Sequence, residues 1–380
     1  VRIPRCLLLL VGLWSSAAVA QEAWLVTYGP GGEVWERFGH NAIWLRDPEA
    51  GLDHTFSFGY FELDRPGFHW DFARGIMLYY GAASTREREF DFYRARDRRI
   101  ETQRLNLSPG QVRELFALLD DAIFPQPQYY AYDYYFANCS TWLRDLLDQV
   151  TDGAVSTQLR RDPAGQNFRD HTRRLTAERF WLHTGIMLVL GPTIDRPRTA
   201  WEEAFLPAAL ARALEQVILE GGEPLVLDRQ VIYESSRFHP PDRPAGPWLL
   251  SLLLGLVAAA VVVGAARCAG FWSLLPWRLG LVLFGLAGSA LALMWIASGH
   301  EAAWRNAMLL LLHPIWLLFL LPGSAGFKRV IWWITAGSTA LGVVVLASPE
   351  WLQYRPDQLL LVVPVVLALL WVQRRRGAEA

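Results

Sequence analysis

The sequence predicts two parts with different solvents: an α+β domain facing water, followed by an α-helical bundle of five membrane spans. Three observations carry this. Charge is unevenly placed, with 9 Lys+Arg and 4 Asp+Glu in residues 247–380 against 27 and 33 in residues 1–246. The charge-poor part contains five long apolar segments. The charge-rich part mixes short alternating stretches with capped helices and has no regular βαβ alternation. At 380 residues, 52% hydrophobic and 19% charged, the chain is neither disordered nor an ordinary soluble globule. Its net charge of −1 gives no electrostatic case for nucleic acid.

The N-terminus reads as a secretion signal over residues 1–20. Arg2 and Arg5 precede a short apolar core from Cys6 to Trp14, and Ala18-Val19-Ala20 forms a small-residue cleavage site. The expected spans are 247–266, 279–298, 306–327, 330–349 and a shorter one at 358–373 that carries Pro364. An external first part would place Arg267, Arg278, Lys328, Arg329 and Arg374-Arg375-Arg376 inside, with only Arg305 and Arg355 outside. That bias obeys the positive-inside rule. Residues 21–237 are then a domain outside the cytoplasm, in the periplasm if the source has two membranes, with 238–246 a Pro-rich stiff linker and 374–380 a cytoplasmic tail. Residues 21–246 carry 25 Arg against 33 acidic groups, which offers nothing to an anionic polymer.

Within the external part, 23–28, 41–46, 54–60 and 98–107 read as strands. Ser108-Pro109-Gly110-Gln111 opens a helix with a capping box and Pro at its first position. Thr199-Ala200-Trp201-Glu202 opens another, expected to run to Gly221-Gly222. After Asn138, a good N-cap, the apolar residues Trp142, Leu143, Leu146, Leu147 and Val150 recur at helical spacing.

Cys6 lies in the signal and Cys268 at the inner end of the first span, so Cys139 is the lone external cysteine. It cannot form an intrachain disulfide there. The plain reading is a small buried hydrophobe. Its place in the first turn of a helix favours a nucleophile, because the helix N-terminus lowers a thiol pKa and offers N–H groups to an oxyanion. Such a thiol needs an imidazole. His40, at the start of a strand and beside Gly39, is the expected base, and His54, which opens the next strand, is its expected orienting partner. His69, His171 and His183 lie in segments without a catalytic signature. No close pair has metal-ligand spacing, and no cofactor is expected.

Phe38-Gly39-His40, Phe58-Gly59, Gly75 with Tyr79-Tyr80, Leu105-Asn106-Leu107, and Tyr132 to Asp145 with Asn138-Cys139-Ser140-Thr141 together resemble the Lnb family of bacterial lipoprotein N-acyltransferases. The resemblance covers roughly residues 22–180 well and the spans more loosely. The chain is also similar to the permuted papain-like group, in which histidine precedes cysteine, as in NlpC-type amidases and lecithin:retinol acyltransferase. The resemblance implies Cys139 as nucleophile and His40 as base, and leaves the third member open. It also draws His300, Trp304, Asn306 and His313-Pro314 into view. Intramembrane polar groups are expensive and often functional, so His300, Asn306 and Tyr134 are candidates for the substrate or membrane face. The plain alternative is a loop histidine and a helix start.

The function this implies is transfer of an acyl chain from a phospholipid to the N-terminal amine of a lipoprotein, through a thioester on Cys139. The partners are then a phospholipid, a lipoprotein and the membrane, without nucleic acid. A cell-wall amidase of the NlpC type would use the same pair, but five spans are more than an anchor needs. A non-enzymatic membrane scaffold leaves the Cys–His pairing without a purpose. Trp248, Trp304 and Trp351 near the predicted interfaces fit a domain lying close to lipid.

Overall fold

A computed structural model describes residues 21–379 apart from 127, 238, 244–245, 350–352 and 354. The expected secretion signal, parts of the linker, and Trp351 fall outside the described residues. Seven strands form one sheet: β1 (Glu22–Tyr28), β2 (His40–Asp47), β3 (Leu52–Tyr60), β4 (Leu78–Thr85), β5 (Ile100–Leu105), β6 (Tyr130–Ala131) and β7 (Val226–Tyr233), in the order β6-β4-β3-β2-β1-β5-β7. Every neighbouring pair is antiparallel. The helices are α1 (Phe68–Ala73), α2 (Arg86–Ala95), α3 (Pro109–Ile123), α4 (Cys139–Val150), α5 (Ala154–Leu159), α6 (Phe168–Thr176), α7 (Phe180–Val189), α8 (Ala200–Glu203), α9 (Pro207–Leu214), α10 (Trp248–Arg267), α11 (Leu275–Ala297), α12 (Ala325–Ala347) and α13 (Pro356–Glu379).

The period of two along each strand sorts side chains onto two faces. Ala23, Leu25, Ile43, Leu45, Phe56 and Phe58 pack with Leu115, Leu119, Leu143 and Leu147 of α3 and α4. Val26, Tyr28, Ala42 and Ile100 point the other way and are closed by Phe90 and Tyr93 of α2. The four expected strands are present, while β4, β6 and β7 escape sequence reading. β7 is a largely exposed edge strand with charged residues in its middle, so it carries no apolar alternation.

Local signals behave unevenly. Both arms of the Ser108–Gln111 box form, and α3 runs for 15 residues. The Thr199–Glu202 box also forms, but α8 stops at Glu203 rather than near Gly221. Pro207 is the reason: it drives Leu206 to extended backbone (φ −88°, ψ 126°) before starting α9.

Among the described residues the C-terminal part has four helices long and apolar enough to cross a membrane: Trp248–Arg267, Trp272–Ala297, Ala325–Ala347 and Pro356–Arg376. The third expected span, 306–327, is not a continuous helix. It consists of two 3-10 stretches, Ala307–Leu310 and Pro314–Leu320. Pro314 supplies no N–H, and His313 before it is extended (φ −139°, ψ 154°). Neighbouring side chains satisfy the carbonyls this leaves: Ser338 Oγ donates to Leu310 O at 2.8 Å, Trp316 Nε1 to Leu311 O at 2.9 Å, and Lys328 Nζ to Phe319 O at 3.3 Å. In α13, Pro364 likewise frees the carbonyl of Leu360. Gly255 of α10 packs directly on it, since a Cβ there would stand 2.6 Å from Leu360 O.

The two parts are bolted together at one end of the sheet. Gly299, just past α11, donates its N–H to Arg74 O at 2.7 Å. Asp357 in the first turn of α13 meets Arg173 and His183, each at 3.1 Å. Leu188 and Val189 of α7 pack onto the core of the helical bundle.

Candidate functional site

Asn138 is the N-cap of α4, as expected, and its Oδ1 accepts from Ser140 N and Thr141 N at 3.0 and 3.1 Å. Its Nδ2 donates to Tyr134 O and Phe205 O, at 3.0 and 2.9 Å, so the same side chain clasps the approaching loop and the start of α9. Thr141 Oγ1 completes the box by accepting from Asn138 N at 2.8 Å. Cys139 is thereby fixed as the first residue of the helix.

The first turn of α4 docks on the beginning of β2. Ser140 Oγ donates to Asn41 Oδ1 at 2.8 Å, and Asn41 Nδ2 is anchored by Thr27 Oγ1 at 2.9 Å. Ser140 Oγ lies 3.9 Å from the Cys139 sulfur, and the backbone N–H groups of Asn41 and Ser140 favour its thiolate. His40, one residue before Asn41, opens the same strand end, and its ring makes no hydrogen bond among the described residues. That ring stacks with Tyr28 and Tyr93, at centroid distances of 6.2 and 6.3 Å. Across the strand end, a Cβ placed on Gly59 would stand 3.8 Å from the Cys139 Cβ.

The electrostatics differ from the expectation of a depressed thiol pKa. Cys139 is half-buried. Burial pushes its thiol above the usual value, and the Asn41 and Ser140 donors and the charge of Arg98 oppose that shift without cancelling it. Burial also holds His40 down to about 3, with Arg98 acting in the same direction. The resting pair is therefore neutral thiol and neutral imidazole, not a preformed ion pair.

Arg98 is a residue the sequence reading missed. It is 3% exposed, its Nε donates to Gly29 O at 2.8 Å, and its guanidinium stands 3.6 Å from Glu36 and 4.7 Å from the centre of the Tyr93 ring. Its Nη2 is buried and has no hydrogen-bond partner among the described residues. In sequence it is one of a run of charges, Arg96-Asp97-Arg98-Arg99, and nothing local marks it.

His54 does not meet His40. The register pairs it with Leu45, five residues along β2, which puts it roughly 17 Å from the site end. Its place in the strand was legible, but the long β2–β3 pairing carries it to the opposite end of the sheet. Asn306 does not offer itself to a substrate either. It is 2% exposed, caps Met308 N at 3.0 Å, and donates to Leu188 O and Val189 O at 2.8 and 2.7 Å. His300 is turned toward the external domain, its Nε2 2.6 Å from Phe72 O and its ring stacked on Tyr134 at 6.2 Å. His171 and His183 pair with Glu203 and Asp357.

From Cys139 an aromatic path leads toward the helical bundle. The thiol lies within electrostatic range of Tyr60, Tyr93, Tyr130 and Tyr132. Tyr132 stacks on Tyr79 at 4.1 Å and meets Tyr134 edge-on at 5.9 Å, and Tyr134 meets His300. A sheet domain with a capped cysteine helix at one corner, followed by apolar helices, matches two family models in the same order. Residues 14–177 match the Lnb N-terminal periplasmic domain and residues 242–374 the Lnb transmembrane domain. The chain belongs to the Lnb family. No curated protein and no solved structure matches it. As a member of the Lnb family it is a membrane protein with a periplasmic N-terminal domain and a transmembrane C-terminal domain.

Proposed function

We propose that this Lnb-family chain is a thiol acyltransferase that carries an acyl group from a phospholipid to a lipoprotein N-terminus. One observation carries the reading: Cys139 opens a capped helix whose first turn docks on Asn41, next to His40, at the corner from which aromatic rings lead to the membrane part. In the first half-reaction His40 accepts the thiol proton as sulfur attacks the ester carbonyl carbon. The acyl carbon–oxygen bond breaks, and the proton passes to the departing lysophospholipid oxygen. In the second, the lipoprotein amine attacks the thioester, the carbon–sulfur bond breaks, and His40 moves the amine proton toward the leaving sulfur. The Asn41 and Ser140 amides are the donors nearest the developing oxyanion. Arg98 favours the thiolate and disfavours the protonated form of His40. The arrangement of a cysteine-bearing helix on an antiparallel sheet with histidine earlier in the chain supports a permuted papain-like ancestry.

The membrane path is part of the proposal. α11 finishes and α13 begins against the external domain, so α12, joined to α13 by a short connection, finishes there too. The chain between α11 and α12 must then travel from the outer to the inner side. Ala307–Leu320 at ~2.0 Å per residue reaches about 28 Å, close to the ~30 Å hydrocarbon core. The protein thus crosses five times, four times as α-helix, and its C-terminus is cytoplasmic in a bacterial inner membrane.

The test is mass spectrometry of lipoprotein N-termini in cells that lack their own N-acyltransferase. N-acylated peptides are expected with the wild-type gene and none with Cys139→Ser. Unmodified amines in both, with altered peptidoglycan cross-links in the wild type alone, would assign the pair to an amidase.

A further inference from the structure

Between β3 and β4 the chain leaves the sheet over residues 61–76, and this excursion buries little of its own apolar surface. α1 has no buried residue. Trp70 is 68% exposed, and Leu63, Phe72 and Ile76 are also open. In a soluble domain such a cluster is a liability, and an apolar surface of this kind marks a partner. The inner rings do organise: Phe61 stacks on Phe68 at 5.7 Å and packs on Tyr79 at 4.9 Å, and Arg65 pairs with Asp71 at 2.7 Å. The excursion is therefore shaped, with its remaining apolar groups turned outward.

The points at which the excursion is fastened indicate its cover. Gly75 lies against Gly299 so closely that a Cβ on Gly75 would meet the Gly299 backbone at 2.6 Å. The Gly299 N–H bonds Arg74 O, and His300 bonds Phe72 O. Gly299 immediately follows α11, whose last turns expose Leu293, Trp295 and Ile296 to the lipid side. The open face of 61–76 is thus continuous with the outer end of a membrane-spanning helix. Exposed Trp and Phe at that level suit an element lying in the headgroup layer, held there by apolar surface and not by charge, since Arg65 and Arg74 are outnumbered by Glu62, Asp64 and Asp71.

We propose that residues 61–76 form an in-plane membrane element that seats Trp70, Phe72 and Ile76 in the outer leaflet of the phospholipid bilayer. Because Phe72 contacts His300 and His300 contacts Tyr134, the element stands at the lipid end of the aromatic path to Cys139. The seating depends on the placement of the helices and not on the chemistry at the thiol.

Spin-label depth measurement tests this on the full chain in nanodiscs of phosphatidylethanolamine and phosphatidylglycerol. Native cysteines are replaced by serine, and single cysteines are introduced as Trp70→Cys, Phe72→Cys and, at the exposed hairpin tip on the opposite end of the sheet, Ala50→Cys. Collisions of the nitroxide with oxygen are expected to exceed those with a water-soluble nickel chelate several-fold at 70 and 72, with the reverse at 50. Equal nickel access at 70 and 50 would overturn the proposal. So would protection at 70 that arises only when a lipoprotein peptide is added, which would make the face a protein-docking surface. Since Cys139 is absent throughout, failure of the depth result is separate from failure of the acyl-transfer reading. In the same membranes, Trp70→Asp added to the chain that lacks native cysteines and carries Phe72→Cys should move that label toward the nickel reagent. An unchanged depth there would count against insertion.

Discussion

Asn138 and Asn306 make similar clasps for different ends. Asn138 Oδ1 accepts two backbone N–H groups and Asn306 Oδ1 one, each at the start of a helical segment, and each Nδ2 donates to two carbonyls, those of Tyr134 and Phe205 for Asn138 and those of Leu188 and Val189 for Asn306. Around Asn138 the clasp closes on Tyr134 and Phe205 and holds a half-buried thiol at an open corner. Around Asn306 it closes on Leu188 and Val189, and the amide oxygen also faces Arg355 Nη1 at 3.3 Å, so no polar atom is left for a ligand. The difference teaches that a capping asparagine is informative about chemistry only through the residues next to it in the chain. After Asn138 comes a reactive side chain on an amphipathic helix. After Asn306 comes an apolar stretch broken by proline.

The largest effect separates the two sites outright. Cys139→Ser should abolish lipoprotein N-acylation while leaving the thermal unfolding of the purified protein in place, and His40→Ala should cost nearly as much activity. The double change should add little, since members of one catalytic unit are strongly non-additive. Retained activity in Cys139→Ser would remove the thiol mechanism.

Next come the clasps themselves. Asparagine to aspartate keeps the cap oxygen and loses the two Nδ2 donors. For both Asn138→Asp and Asn306→Asp the expected loss is about 2–4 kcal/mol, from two stranded carbonyls now facing a carboxylate. The readout that distinguishes them is activity per folded molecule. It should fall more than tenfold for Asn138→Asp and stay within about twofold for Asn306→Asp. Equal losses would mean that the Asn306 junction also shapes the site.

A smaller, more specific effect belongs to Arg98. Its charge lowers both partners, so Arg98→Met should raise the Cys139 thiol pKa and let that of His40 rise. The pH profile of Cys139 alkylation should move to higher pH, with Arg98→Lys moving it less. An unmoved profile would reduce Arg98 to packing. His40 itself predicts a pH signature. Its imidazole is held at about 3 in the folded protein against 6.5 ordinarily. Between those values the unfolded chain takes a proton that the native state refuses, so stability falls as pH drops through that window. His40→Gln should flatten this slope in thermal melts. The smallest effect is His54→Ala: from its distance along β3, activity should stay within about twofold of wild type.

What was legible in the sequence was what local chemistry writes there. Ser108, Asn138 and Thr199 announce caps because the cap and its donors lie within three residues of one another. Cys139 and His40 stood out as one thiol and one strand-start imidazole, and the fold then brings the backbone beside His40 to the sulfur. Arg98 did not stand out, because its neighbours Arg96 and Arg99 look identical until the sheet buries one of the three. His54 was misplaced because strand register is set by pairing across the sheet, and no local pattern in β3 reports which residue of β2 it will face. The third apolar segment was read as an ordinary span because composition measures hydrophobicity and not backbone hydrogen bonding, which Pro314 and its extended neighbour His313 interrupt.

That broken segment bears on how the protein is built. A continuous apolar helix satisfies its own backbone and can enter the bilayer alone. The stretch from Ala307 to Leu320 borrows donors from Ser338 and Lys328, both of which are synthesised after it. It therefore has no finished form when it leaves the ribosome. On the proposed five-crossing path its insertion must wait for α12, which makes these two segments a single unit of biogenesis, and a chain truncated just before Ala325 should leave the stretch at the membrane surface.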